Sequence, residues 1–274
     1  MLVDSHCHLD RLDLKPFDNS FQKLIKSGEE KGISHMLCAS IDLETYPSMC
    51  ALVENYPGIS ISVGVHPNDK ERHEPSPDEL AELAAHPKNV AIGETGLDYF
   101  HSESDLTWQQ ERFRNHIAAA RICGKPLIIH TRAAREDTIA IMREEHANEA
   151  SGVMHCFTED WDMARKALDL GFYISFSGII TFNSAKELRV VAKRVPADRI
   201  LLETDSPYLA PVPHRGKPNL PEYVIHVADM IAELRGLTRE QVEELTSDNF
   251  FRLFMPAEYL SYRRAKEPLR GSCL

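Results

Sequence analysis

The chain has 274 residues, 43% of them apolar and 27% charged, and carries a formal net charge of −11. This is the composition of an ordinary globular protein, and the length suits one large domain. The acidic balance excludes a broad basic surface, so any nucleic-acid partner needs local positive charge.

No apolar run is long enough to span a bilayer, and the N-terminus has neither a basic nor an apolar leader region. A cytoplasmic protein without a membrane partner is expected. The cysteines (Cys7, Cys38, Cys50, Cys123, Cys156, Cys273) form no CxxC pair and read as reduced thiols.

In chain order, the strand candidates are LVDSH at the start, HMLCAS (35–40), ISISVGVH (59–66), VAIGETGLD (90–98), PLIIHTR (126–132), SGVMHCF (151–157), FYISFSG (172–178) and RILLETDSPY (199–208). These runs are continuously apolar rather than alternating, as expected of parallel strands covered on both faces. Helical periodicity separates them at 107–123, 134–147, 160–170 and 184–195. In the first of these, Trp108, Phe113, Ile117 and Ala120 share a side and Gly124 is a stop signal. Eight such units make an α/β chain folded as a single (β/α)8 TIM barrel. The last helices, near 220–235 and 238–254, would close it. The expected domain is 1–255, and 256–274 reads as a surface or disordered tail.

Side chains i and i+2 of a strand face the same way, so His6 and His8 share a side and Cys7 takes the other. Glu94, His130, His155 and Asp205 each sit at the C-terminal end of an apolar run. The intervals fit whole strand–helix units: 86 residues from His8 to Glu94, 36 to His130, 25 to His155 and 50 to Asp205. That places the six residues on the first, fourth, fifth, sixth and eighth strands, converging on the face where barrel enzymes keep their active sites.

Singly, each has an ordinary reading: a hydrogen-bonded histidine, a mouth salt bridge for Glu94, a cap or turn former for Asp205 before Ser206–Pro207. Six ligand-type side chains at matching strand ends point instead to metal. Four imidazoles and two carboxylates exceed one tetrahedral ion and suit two divalent ions. His6, His8 and Asp205 would hold one, His130 and His155 the other, with Glu94 bridging. The nitrogens favour zinc or manganese, while magnesium stays open because availability can override affinity.

The stretches LVDSHCHLD, SVGVHP, AIGETGLDY, HCFT and ETDSPYLAPVPHRGKPN together resemble the TatD family of metal-dependent deoxyribonucleases, from residue 2 to about 254. The resemblance implies a TIM barrel of the amidohydrolase-like kind, a divalent-metal site and hydrolysis of DNA, often as a 3′-to-5′ exonuclease. Its ligand positions map onto His6, His8, Glu94, His130, His155 and Asp205. The chain departs from the family at Ala133, where an aspartate commonly follows the fifth strand, and in the tail after Phe254.

For such a hydrolase Asp205 would also accept a proton from the attacking water. Glu203, on its face by strand parity, would orient the site or form a salt bridge at the core edge. His66 would hydrogen-bond a phosphate oxygen or act as a structural cap. Arg132 shares the face of His130 and could fork to phosphate. His214, Arg215 and Lys217, on a Pro- and Gly-punctuated loop, form the main basic cluster and suit a phosphate clamp. Tyr99, Phe100 and Tyr208 would stack on bases or pack the rim.

The expected partner is a single-stranded or frayed DNA end, bound weakly by a monomer. The tail's Arg263, Arg264, Lys266 and Arg270 read as a solvated end. Two other functions fit: hydrolysis of a small ester or amide, or of an aminoacyl-tRNA ester, on the same barrel, and a non-catalytic scaffold. The intact ligand set disfavours the scaffold. Barrels that hydrolyse small substrates often bridge their ions with a modified lysine where this chain has Glu94.

Overall fold

The computed structural model describes residues 1–68, 70–101, 105–257 and 259. Eight parallel strands pair in chain order: β1 Leu2–Cys7, β2 Ile33–Cys38, β3 Ile59–Val63, β4 Asn89–Asp98, β5 Leu127–Arg132, β6 Gly152–Met154, β7 Tyr173–Phe176 and β8 Ile200–Leu202. The helices are α1 Phe21–Glu30, α2 Tyr46–Val53, α3 Pro77–Leu83, α4 Thr107–Cys123, α5 Arg135–Glu144, α6 Trp161–Asp169, α7 Lys186–Arg194, α8 Val224–Arg235 and α9 Arg239–Phe254. The result is a nearly closed TIM barrel. No helix among the described residues is long and apolar enough to cross a membrane. Apart from Pro256, Ala257 and Tyr259, the tail lies outside the described residues.

Local chemistry sets the helix ends. Ser20, Ser76 and Asp160 accept the N–H three residues on at the starts of α1, α3 and α6, and Thr238 with Gln241 forms a capping box on α9. Gly124 and Gly236 end α4 and α8 in the left-handed conformation, which glycine adopts without strain.

Strand alternation divides the core in two. Residues such as Met36, Ile61, Ile92, Ile129 and Ile174 face the helices. Val3, Leu37, Ala91, Ile128, Val153 and Leu201 form a second cluster that Phe250 and Phe254 of α9 join, so α9 packs on the barrel interior's own residues. Truncating fully buried Phe250 to alanine would cost about 3–5 kcal/mol.

β6, β7 and β8 are shorter than their apolar runs suggest, ending at Met154, Phe176 and Leu202. The residues beyond leave the ladder because they turn over the barrel mouth. Cys156 and Asp205 both have positive φ, 42° and 57°. The β1–β8 seam is tied by Asp205 N–H to His6 O at 3.0 Å and His8 N–H to Ser206 O at 2.8 Å. The buried Asp4 carboxylate adds two more bonds, from the Thr204 N–H at 2.9 Å and hydroxyl at 2.6 Å. Burial, with Glu203 adding repulsion and the bonds from Thr204 and His6 opposing, pushes the Asp4 carboxyl up to about 8.

Candidate metal centre

Glu94 sits where β4 slips register against β5: Ile92 pairs with Leu127 and Thr95 with Ile129, leaving Gly93 and Glu94 as the irregular step. A bulge re-aims a side chain, and here it turns Glu94 into the barrel mouth, with its N–H on Ser40 O at 2.9 Å. Gly93 is required, because its φ is +142° and a Cβ there would lie 2.6 Å from Ile128 O. A similar slip in β1, between Asp4 and Cys7, carries His6.

The two oxygens of Glu94 face different groups. Oε2 is 3.3 Å from His6 Nε2 and 3.7 Å from His8 Nε2. Asp205 Oδ1 completes that side, 3.3 Å from His8 Nε2 and 3.7 Å from His6 Nε2. Oε1 is 2.8 Å from His155 Nε2, and 3.3 Å from both His130 Nδ1 and His66 Nε2. His155 bridges the two sides, its ring stacked 4.0 Å from that of His6.

The donor set fits divalent metal. His6 Nε2 and His8 Nε2 point at each other 3.3 Å apart. Two nitrogens about 2.0–2.1 Å from a tetrahedral ion lie ~3.3 Å from one another. Glu94 Oε2 is buried without a hydrogen-bond partner among the described residues, and His155 Nε2, though 2.8 Å from Glu94 Oε1, is not aligned to hydrogen-bond it.

The far nitrogens are anchored. His8 Nδ1 donates to Ala39 O at 3.0 Å, His130 Nε2 to Asp98 Oδ2 at 3.2 Å and His155 Nδ1 to Glu203 Oε1 at 3.3 Å. Such partners fix the tautomer and ring orientation of a metal-binding histidine. His66 differs: its Nδ1 accepts the Asn68 N–H at 3.2 Å, so in the neutral ring the proton is on Nε2. His66 therefore presents a donor to Glu94 rather than a lone pair to an ion.

Burial opposes charge throughout the cluster. On Glu94 the surrounding imidazoles, His155 foremost, outweigh it and hold the carboxyl well below its usual range. Asp205 is likewise held low against burial, chiefly by His8. Both carboxylates are anionic, which is the form a cation needs. Burial drives His6 and His66 toward the neutral ring.

Glu203 lies behind His155 rather than beside Asp205, also accepting the Cys156 N–H at 2.8 Å. The parity expectation fails there because β8 has already ended. Asp98 has no counterpart in the sequence reading, yet it stands four residues beyond Glu94 in the same strand, a spacing that period-two alternation could have flagged. His101, which also lines the site, offered no such signal.

Above the cluster opens a cavity of about 780 Å³. Arg132, Tyr208, His66, Asn68 and His101 line it. The Arg132 guanidinium lies 4.2 Å over the exposed Phe100 ring, and Tyr208 stands edge-on to His8. Tyr99 is half-buried and donates its hydroxyl to Asp137 at 2.7 Å. Arg215 and Lys217 are exposed and lie outside the cavity lining, Arg215 stacking 3.7 Å over Phe182. His214 turns away to stack on Tyr223 and meet His226 Nε2 at 3.1 Å.

Barrel and site together define a metal-dependent hydrolase. Residues 3–255 match the model of the TatD-related DNase family, and the chain belongs to that family. The uncharacterized metal-dependent hydrolase YcfH of Escherichia coli K12 is 48% identical over 92% of this chain and 95% of its own. YabD of Bacillus subtilis, described in the same words, is 40% identical over 93% of this chain and 99% of its own. Among solved structures, the TatD homologue YjjV of Escherichia coli superimposes with a TM-score of 0.83 at 27% identity, covering 92% of this chain and 97% of its own.

Proposed function

We propose that the chain hydrolyses DNA phosphodiesters from the 3′ end, with two divalent ions (magnesium, manganese or zinc) held on either side of Glu94. One observation carries the reading: the two oxygens of Glu94 face separate histidine groups at the floor of an open cavity. A space of about 780 Å³ suits one single-stranded or frayed end. The family's description as TatD-related DNases supports DNA as the substrate.

When bound, the ions neutralise phosphate charge and bring the pKa of water toward neutrality. His6, His8 and Asp205 would hold one, His130 and His155 the other. Asp205, ionised beside His8, accepts the proton of the attacking water. With Glu94 holding the ions, the His66 N–H that faces it would turn to a phosphate oxygen, and Arg132 adds a two-pronged contact at the mouth. Glu203 and Asp98 keep His155 and His130 in register. Tyr208, 54% exposed, offers a ring face to a base.

One observation favours a second reading. Arg132 is the only lysine or arginine among the described residues lining the cavity. So little positive charge also suits a small ester or an aminoacyl ester. End-labelled single-stranded DNA, incubated with magnesium, manganese or a chelator beside Glu94→Ala, separates the two. Stepwise shortening from the 3′ end is expected, abolished by chelator and absent in the variant. DNA left intact with every metal, alongside turnover of a p-nitrophenyl carboxylic ester, would assign the smaller substrate.

A further inference from the structure

Hydrolysis of a DNA phosphodiester moves two protons. Asp205 accounts for the one lost by water; the departing sugar oxygen needs another, because an alkoxide is roughly as basic as hydroxide. His8, His130 and His155 each commit one nitrogen to an anchor and turn the other to the carboxylates. Arg132 cannot give up a proton. Among the described residues of the lining, one imidazole stands outside this cluster, that of His101.

His101 follows β4, and Asp98 holds it. The fully buried Asp98 accepts the backbone N–H of Phe100 and of His101 on Oδ1, both at 3.0 Å. Its Oδ2 accepts His101 Nδ1–H at 2.8 Å. The Asn68 amide lies 3.4 Å from the same nitrogen, and the Phe100 ring packs edge-on 5.0 Å away. The proton on Nδ1 is thus fixed, and Nε2 has no hydrogen-bond partner among the described residues although the side chain is 45% exposed. Asp98 Oδ2 also anchors His130 at 3.2 Å. A single carboxylate oxygen thereby sets one imidazole in the Glu94 cluster and one at the cavity wall. A buried carboxylate orienting a histidine that opens on substrate is the usual arrangement of a proton-transfer residue.

We propose that His101 is a catalytic acid, its Nε2–H protonating the sugar oxygen as that oxygen leaves phosphorus. The proposal rests on the phosphodiesterase reading. The water oxygen forms the new bond to phosphorus and its proton passes to Asp205. The old P–O bond breaks with its electron pair on the 3′ oxygen, which takes the Nε2 proton. The proton on Asp205 returns to His101 through solvent, and the net consumption is one water.

The test compares two substrates of the full-length protein with manganese. A thymidine dinucleotide releases an alkoxide; the p-nitrophenyl ester of thymidine 5′-phosphate releases an anion stable without a proton. His101→Gln should lower kcat on the dinucleotide by about 10²–10⁴-fold and on the p-nitrophenyl ester by less than about threefold. His101→Ala should regain dinucleotide activity when imidazole is added. Equal losses on both substrates, or no loss on either, would overturn the acid role while leaving the phosphodiesterase intact. A wild-type protein idle on both substrates would overturn the underlying reading and this role with it.

Discussion

His116 and His35 are as deeply buried as His6 and His155, yet they do opposite things. His116 Nδ1 donates to Arg112 O at 2.8 Å and its Nε2 accepts the Val65 N–H at 2.9 Å, so both nitrogens serve the backbone. His35 bonds Ser60 at 3.0 Å and packs against Phe250 and Phe251. His6 and His155 instead each turn Nε2 to the anionic Glu94, at 3.3 and 2.8 Å, and no hydrogen bond among the described residues claims His6 Nδ1 or His155 Nε2. Depth alone therefore says nothing about metal. What separates the groups is whether each nitrogen's partner is already in the fold.

The strongest way to break this contrast is to remove the residue on which the ligand-type nitrogens converge. Glu94→Ala should lose metal, measured by elemental analysis after dialysis, and lower metal-dependent hydrolysis by about 10³-fold or more, the scale of several kcal/mol of charge stabilisation. Unchanged metal content would mean that Glu94 only bridges histidines.

The other half of the contrast is a matter of stability. Burial, with Lys88 adding to it, pushes His35 down to about 4, and burial, opposed by the bond to the Arg112 carbonyl and aided by the Arg112 charge, does the same to His116. A ring whose folded-state pKa is depressed stabilises the fold above the unfolded value near 6.5, and that contribution is lost as pH falls toward 4. The loss is roughly 3 kcal/mol per ring. Urea unfolding of metal-free protein at pH 7 and pH 4.5 measures it. His35→Leu should lose less stability across that interval than wild type, and parallel curves would show that His35 does not resist protonation.

A smaller effect is expected from the anchors. Glu203→Gln keeps the shape but removes the charge behind His155, so metal affinity should weaken by about 10–100-fold. Competition against a chromogenic chelator reads it directly. No change would make Glu203 merely a partner of the Cys156 N–H.

The barrel was legible because parallel strands covered on both faces write continuous apolar runs, and the intervals between candidate ligands counted whole units. The histidine positions were legible because a strand end fixes where a side chain emerges. What was hidden arises where the backbone leaves the ladder. Asp205 has a φ of 57° and Cys156 of 42°, so parity counted from β8 or β6 carries no meaning beyond Leu202 or Met154. Glu203 consequently lies behind His155 and not beside Asp205. Which nitrogen of His66 holds its proton depends on the Asn68 N–H, a contact no residue pattern announces. Asp98 was findable by alternation; its hold on His101 was not, since it depends on the turn at Tyr99–Phe100.

The smallest effect sharpens the contrast between cavity and rim. Arg215 and Lys217 stand outside the cavity lining, so Arg215→Ala with Lys217→Ala should change the rate on a small phosphodiester by less than about twofold. On single-stranded DNA long enough to leave the cavity, each lost phosphate contact should reduce the slope of log affinity against log salt by about 0.7. A double variant whose slope falls by about 1.4 would place both residues on the path of the strand. An unchanged slope would leave Arg132, the basic side chain among the described residues of the cavity lining, to meet phosphate beside the ions, and would move the weight of the proposal from a DNA strand toward a substrate no larger than the cavity itself.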